Sequence, residues 1–266
     1  MRMLALVALL AACPARTVPP AAPAPQPVAV TPAPAPAPAP TPAPAPPASD
    51  MPTLRLPRIF KPTGYTAKLV IDPSKPTFSG SIQIAGEVSE KTNVIWLHGR
   101  HITITNAGPT TVTPRGDDLL EVRGDFSPGP LTLSFEYTGE VDEVNTTGMF
   151  RETVGKQTYV YSQFEAIYAR RVFPCIDEPD SKVPWQLTIE APKDTIAVSN
   201  TKTDKVSDLP SGGHRYEFAR TRPLPSYLIA FGVGPFEIVD AGKTKSGVPV
   251  RIVSLAGHKD DAAWAA

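Results

Sequence analysis

The chain has 266 residues, enough for one or two domains, and its 26 basic residues balance 26 acidic ones. That balance gives no support for a general binder of nucleic acid or of an anionic membrane, whose footprint would be a basic excess. Proline is the outlier at 33 residues, and 15 of these lie between Pro14 and Asp50.

In chain order, the first element is MRMLALVALLAAC, where one arginine precedes an apolar run from Met3 to Ala12 that is too short to span a bilayer. A charged start, a short apolar stretch and small residues predict a secretory signal over residues 1–13. Leu10-Ala11-Ala12-Cys13 is similar to a bacterial lipobox, which implies a lipidated Cys13 at the mature N-terminus. Two or more acyl chains there would anchor the protein stably in a membrane. The expectation is therefore an exported bacterial lipoprotein of the cell envelope, at the outer membrane or facing the periplasm. Residues 14–50 follow, with runs such as TPAPAPAPAPTPAPAPP. Proline lacks an amide hydrogen and fixes φ, while alanine offers little surface to bury, so this tract cannot build a core. It is predicted to be a disordered, polyproline-II-like spacer reaching roughly 100 Å at about 3.1 Å per residue. With Cys13 lipidated, Cys175 has no partner, and no disulfide framework stabilises the fold.

The folded part is predicted to begin near Met51. YTAKLVI (65–71), SIQIAGEV (81–88), NVIWLH (93–98), HITIT (101–105) and LTLSFEYTG (131–139) each alternate or run apolar for a few residues. TYVYSQF (158–164), WQLTIEA (185–191), TIAVSN (195–200), RYEFA (215–219), SYLIAFG (226–232), FEIVD (236–240) and VPVRIVS (248–254) continue the series. Turn signals such as DPSKP, SPGP and PSGGH separate them. About a dozen short strands rich in Val, Ile, Thr and Tyr predict an all-β sandwich. A helical pattern arises only in the tail DDAAWAA, which reads as the opening of a helix.

Complete catalytic constellations are missing from this sequence. The four histidines, His98, His101, His214 and His258, form no H-x-x-x-H pair and none opens an H-E-x-x-H zinc motif. There is no G-x-S-x-G elbow, P-loop or G-x-G-x-x-G turn.

Chemistry concentrates instead in SQFEAIYARRVFPCIDEPDSK, residues 162–182. One local reading is structural: Arg170 and Arg171 neutralise Asp177, Glu178 or Asp180 in a partly buried network, since a guanidinium pairs with carboxylate through a planar fork. Cys175 is then a small buried hydrophobe. The other reading is functional: Gln163 and Glu165 alternate onto one face at a strand end, where amide and carboxylate grip a charged amine.

This run resembles the signature of the aminopeptidase N family of zinc metallopeptidases, T-Q-x-E-x-x-x-A-R-x-x-F-P-C-x-D-E-P-x-x-K. The matching residues are Gln163, Glu165, Ala169, Arg170, Phe173, Pro174, Cys175, Asp177, Glu178, Pro179 and Lys182. Supporting likenesses include the F-x-G element at Phe78 and Gly80, IWLHGRHITI, YTGEVDEVNTTGMFR, AVSNT and PLPSYLIAFGVGPFEIVD, so that residues 53 to 257 are covered. VPWQLTIEAP departs modestly from the usual apolar run after the lysine.

The resemblance implies a saddle-like β-sandwich over 51–257 that packs on a thermolysin-like catalytic domain. It also implies that Glu165, as a buried carboxylate, binds the substrate's free α-amino group while Gln163 lines the same pocket. The family's G-A-M-E-N loop, zinc ligands and catalytic Tyr belong C-terminal to this stretch. Residues 258–266 are thus expected to be the cut-off start of a following domain, with zinc in that missing catalytic domain and no cofactor in this chain. Such a chain would be inactive alone, its partners being the peptide N-terminus, the catalytic domain and the membrane through Cys13. The alternative is a free-standing, non-catalytic lipoprotein β-sandwich that binds a partner or envelope component.

Overall fold

Side chains alternating between core and solvent are the local signature of a half-buried strand. β1 (Phe60–Val70) buries Tyr65, Ala67 and Leu69 and turns Thr66 and Val70 outward. β2 (Thr77–Val88) buries Phe78, Ile82, Ile84 and Val88 and exposes Ser79, Gln83 and Ala85. Gly80 continues this inward row without a side chain, because a Cβ there would stand 2.5 Å from the Tyr137 ring. The F-x-G element is thereby a packing requirement.

The computed structural model describes residues 51–264, with sixteen strands and no α-helix among them. The signal segment, Cys13 and the Pro/Ala-rich tract lie outside the described residues. A seven-stranded sheet runs, from edge to edge, through β12 (Thr203–Leu209), β13 (Gly213–Phe218), β10 (Trp185–Pro192), β1, β2, β7 (Gly129–Glu140) and β4 (Ile102–Asn106). Its neighbours are antiparallel except at one seam, where β1 and β10 run parallel with Tyr65 opposite Trp185. Those two rings stack there at a centroid distance of 4.1 Å.

Three smaller sheets complete the fold. β3 (Thr92–His98), β6 (Leu119–Phe126) and β5 (Thr111–Arg115) form a three-stranded sheet in the order β3-β6-β5. β11 (Ile196–Ser199), β14 (Phe231–Gly234), β9 (Gln157–Gln163) and β8 (Gly148–Val154) form a four-stranded antiparallel sheet in that order. β15 (Glu237–Lys243) and β16 (Pro249–Ser254) pair as a hairpin. One apolar cluster joins Leu69, Ile84 and Ile189 of the seven-stranded sheet to Leu97 and Val122 of the three-stranded sheet and Val160 and Val233 of the four-stranded sheet.

The all-β expectation holds, and the strand list needs correction. β5, β6, β8 and β12 were not anticipated. β5, β8 and β12 are edge strands, with much of each exposed or only half buried, so their sequences carry little apolar alternation. Central β6 was hidden by Glu121, fully buried and paired with Arg115 at 2.6 Å and Arg123 at 2.5 Å. SYLIAFG divides into a 3-10 turn at Ser226–Leu228 and the start of β14. Among the described residues the tail forms a 3-10 turn, Asp260–Trp264.

Candidate functional site

The 162–182 segment leaves β9, turns through the 3-10 helix Ala169–Arg171, and returns along the end of β3. Aromatic packing fixes its first bend. Phe164 is buried edge-on against Phe173 and Phe231, each ring 5.9 Å away. With Phe164 pointing in, its neighbours Gln163 and Glu165 both point out and are exposed. The peptide between Glu165 and Ala166 is cis.

The second half is a buried brace. Arg170 Nε donates to Asp177 Oδ2 at 3.0 Å, its backbone N–H reaches the same oxygen at 3.3 Å, and its Nη1 meets Asp118 Oδ2 at 3.3 Å. Ser226 Oγ donates to the other Asp177 oxygen. The Asp177 N–H donates to His98 Nδ1 at 3.1 Å, and His98 and Cys175 exchange two backbone bonds at 2.8 and 3.1 Å. Every charge here has a partner, as burial at such depth demands. Burial first, then the Arg170 cation, lowers His98 to about 3, so its ring is neutral and Nδ1 accepts. Burial pushes the Cys175 thiol well up, and neighbouring Asp177 adds to that. Cys175 is therefore a protonated core group, not a nucleophile.

The sequence reading of this network is partly corrected. Arg171 pairs outside the segment, with Asp142 Oδ2 at 2.9 Å and with Thr147. Asp142 is held well below the usual carboxylate range: burial pulls upward, but the N–H groups of Asn145 and Val144 and the Arg171 guanidinium outweigh it. Glu178 accepts the Leu56 N–H at 2.8 Å, and Asp180 meets Arg55 and Arg58 on the surface. Asp118, His98 and Ser226 were missed, since nothing local in sequence links them to residue 170.

In this chain Glu165 is exposed. Its N–H meets Gln163 Oε1 at 3.5 Å, and its carboxylate has no hydrogen-bond or ion-pair partner among the described residues. An anion held at a strand end with free lone pairs can receive an ammonium. Among the described residues no group of three or more His, Cys, Asp or Glu side chains could hold a metal ion.

On the four-stranded sheet, the row Val198–Gly232–Tyr161–Phe150 crosses all four strands. Gln163 lies two residues beyond Tyr161 on β9, on the same face. A pocket of about 600 Å³ opens beside Tyr161, lined also by Val198, Phe231, Phe236, Val253 and Leu255.

Comparison with known proteins matches residues 61–228 to the model of the peptidase M1 N-terminal domain. Puromycin-sensitive aminopeptidase of Caenorhabditis elegans is 30% identical over 227 residues, covering 77% of this chain and 24% of that protein. Aminopeptidase M1-B of Oryza sativa subsp. japonica is 30% identical over 226 residues, covering 79% of this chain and 25% of that protein. Aminopeptidase N of Lactococcus lactis is 31% identical over 220 residues, covering 80% and 25%. The chain spans about a quarter of the length of these curated relatives.

Proposed function

The chain belongs to the peptidase M1 N-terminal domain family, and from that premise we propose that it supplies the amine-recognition half of an aminopeptidase's substrate site. Glu165 receives the α-ammonium of a peptide, and Gln163 lines the same place. The carrying observation is the pair's geometry: two exposed side chains on one face at the end of β9, with a carboxylate no described residue occupies.

Holding the ammonium at a fixed point sets the distance to the scissile bond, which separates removal of one residue from internal cleavage. Alone, such a pairing is weak, because an ion pair in water is worth about 0–1 kcal/mol. Covering the pair with another protein surface lowers the local dielectric and strengthens it. The chemistry of hydrolysis then belongs to a zinc-bearing catalytic domain; the relatives' names, all aminopeptidases, support the aminopeptidase reading. We further place the protein outside the cytoplasm, tethered through lipid on Cys13 with residues 14–50 as spacer; the lipobox-like start and the proline-rich tract support this.

The test is a chimaera in which this domain replaces the corresponding quarter of an aminopeptidase N. Glu165→Ala should raise KM for peptides at least tenfold and admit N-blocked substrates. Unchanged kinetics would remove Glu165 from the site. Mass spectrometry of the protein purified from bacterial membranes should find acyl chains on Cys13, and a Cys13→Ala chain should be released in soluble form.

A further inference from the structure

Arg170 and Arg171 are adjacent in sequence and serve different places. Arg170 turns into the brace, whereas Arg171 leaves the segment and reaches the loop ahead of β8. Its Nη2 donates to Asp142 Oδ2 at 2.9 Å, and its Nη1 donates to the Thr147 carbonyl at 3.2 Å and the Thr147 hydroxyl at 3.1 Å. One planar guanidinium thus grips both ends of the 142–147 loop. The Arg171 and Asp142 side chains are only 16% and 9% exposed, so this is not one of the solvated pairs that contribute little. Gly148 makes room for the grip: it sits at φ +74°, and a Cβ there would stand 3.2 Å from Cβ and Cδ of Arg171.

What Arg171 grips is itself tied down. The Asp142 N–H donates to the Met149 carbonyl at 2.8 Å, and the Asp142 carbonyl accepts the Arg151 N–H at 2.9 Å, which fastens residue 142 to β8. Asp142 Oδ1 accepts the N–H groups of Val144 at 2.9 Å and Asn145 at 2.8 Å, which holds the turn. β8 in turn pairs with β9, and Gly148 stands opposite Gln163. The contacts close a circuit. The chain leaves the β8–β9 ladder at Gln163, passes Glu165, turns through the 3-10 helix, and at Arg171 is fastened back to the loop that enters the ladder at Gly148. The Glu165 carboxylate has no described partner, so its placement depends on the backbone to either side. Phe164 anchors the near side in the core. Arg171 anchors the far side to the very strand pair that carries Gln163, which the Arg170 contacts to Asp177 and Asp118 do not reach.

We propose that Arg171 and Asp142 are positioning residues for amine recognition: their clamp ties the Glu165 loop to the β8–β9 ladder and so holds carboxylate and Gln163 amide where one α-ammonium meets both. This rests on the amine-recognition reading of Glu165 and Gln163. Neither clamp residue touches the amine. Each acts through the loop, and because the pair is neutral as a whole its part is geometric.

The test uses the full 266-residue chain and NMR. In Arg171→Gln and in Asp142→Asn, amide exchange at residues 164–168 should accelerate about tenfold while β1 and β2 stay protected, since the opening is local. Titration with alaninamide, read at the Gln163 and Glu165 amides, should weaken about threefold in both variants, the scale of losing an exposed ion pair. N-acetylalaninamide should shift neither amide. The two substitutions remove charges of opposite sign, which separates placement from field. A field effect alone would strengthen alaninamide binding in Arg171→Gln and weaken it in Asp142→Asn, and that outcome overturns the clamp. Unchanged exchange at 164–168, or acceleration spread evenly over the chain, overturns it too. Arg171→Lys keeps the charge and loses the fork to Thr147, and it is the milder variant should the others fail to fold. It should move both readouts in the same direction; wild-type values in both overturn the clamp. The amine reading fails separately: a wild-type chain that ignores alaninamide sinks Glu165, whereas variants that bind as well as the wild type sink the clamp alone.

Discussion

Two halves of one 21-residue run (162–182) look alike on paper and behave oppositely in space. Around Arg170 and Asp177 the charges are buried and answered: guanidinium, hydroxyl and backbone groups converge on a single carboxylate. Around Gln163 and Glu165 the groups are exposed, and the carboxylate is unanswered by any described residue. A charge fully satisfied by its own chain has been spent on the fold. A charge positioned rigidly but left unpaired is available to something else, and Phe164 supplies the rigidity by anchoring the backbone between the two.

Four measurements would break or sharpen that contrast. Arg170→Ala strands Asp177 in the core and should cost about 3–5 kcal/mol in urea unfolding, the range for half of a buried pair; Arg170→Lys should restore only part of it. A loss under about 1 kcal/mol would mean the brace is ornamental. Phe164→Ala should cost about 3 kcal/mol and speed amide exchange at residues 163–166, because the rim depends on that ring. Acid should act on the brace through His98. Its folded value of about 3 lies below its ordinary value of 6.5, so between those values the unfolded chain binds a proton the folded chain refuses. The stability present above pH 6.5 is lost as pH falls, by about 2 kcal/mol at pH 5. His98→Asn, whose amide oxygen can still accept the Asp177 N–H, should flatten that slope. Glu165→Gln should move stability least, by under about 0.5 kcal/mol, while abolishing any preference for free over acetylated amines.

How much of this was legible beforehand depended on range. Strands with an inner and an outer face, such as β1 and β2, were plain from period-two alternation. The edge strands β5, β8 and β12 were not, because they hide few apolar side chains, and β6 buries a glutamate whose two arginine partners reverse its meaning. Glu165 and Gln163 could be assigned to one face from spacing alone, but not their exposure, which depends on what else packs there. The brace was read as Arg–carboxylate pairing within the segment. Its true partners, Asp118, His98 and Ser226, come from three other places in the chain. The row Val198–Gly232–Tyr161–Phe150 was invisible because its members sit on four strands that sequence order scatters between residues 150 and 232.

The lone parallel seam has a consequence in time. β1 finds β2 across a short turn, and together with β7 and β4 can form a four-stranded antiparallel sheet from residues 60–140. Its other edge must wait for β10, which begins at Trp185, and a parallel join over such a span cannot form by a hairpin. Closing long loops before contacts repay them makes folding slow. A chain delivered N-terminus first would therefore carry an open β1 edge, Tyr65 without Trp185, until the whole signature segment had followed. The parallel join of the largest sheet comes after the residues that define the site, and β13 and β12 extend the sheet only once that join is available.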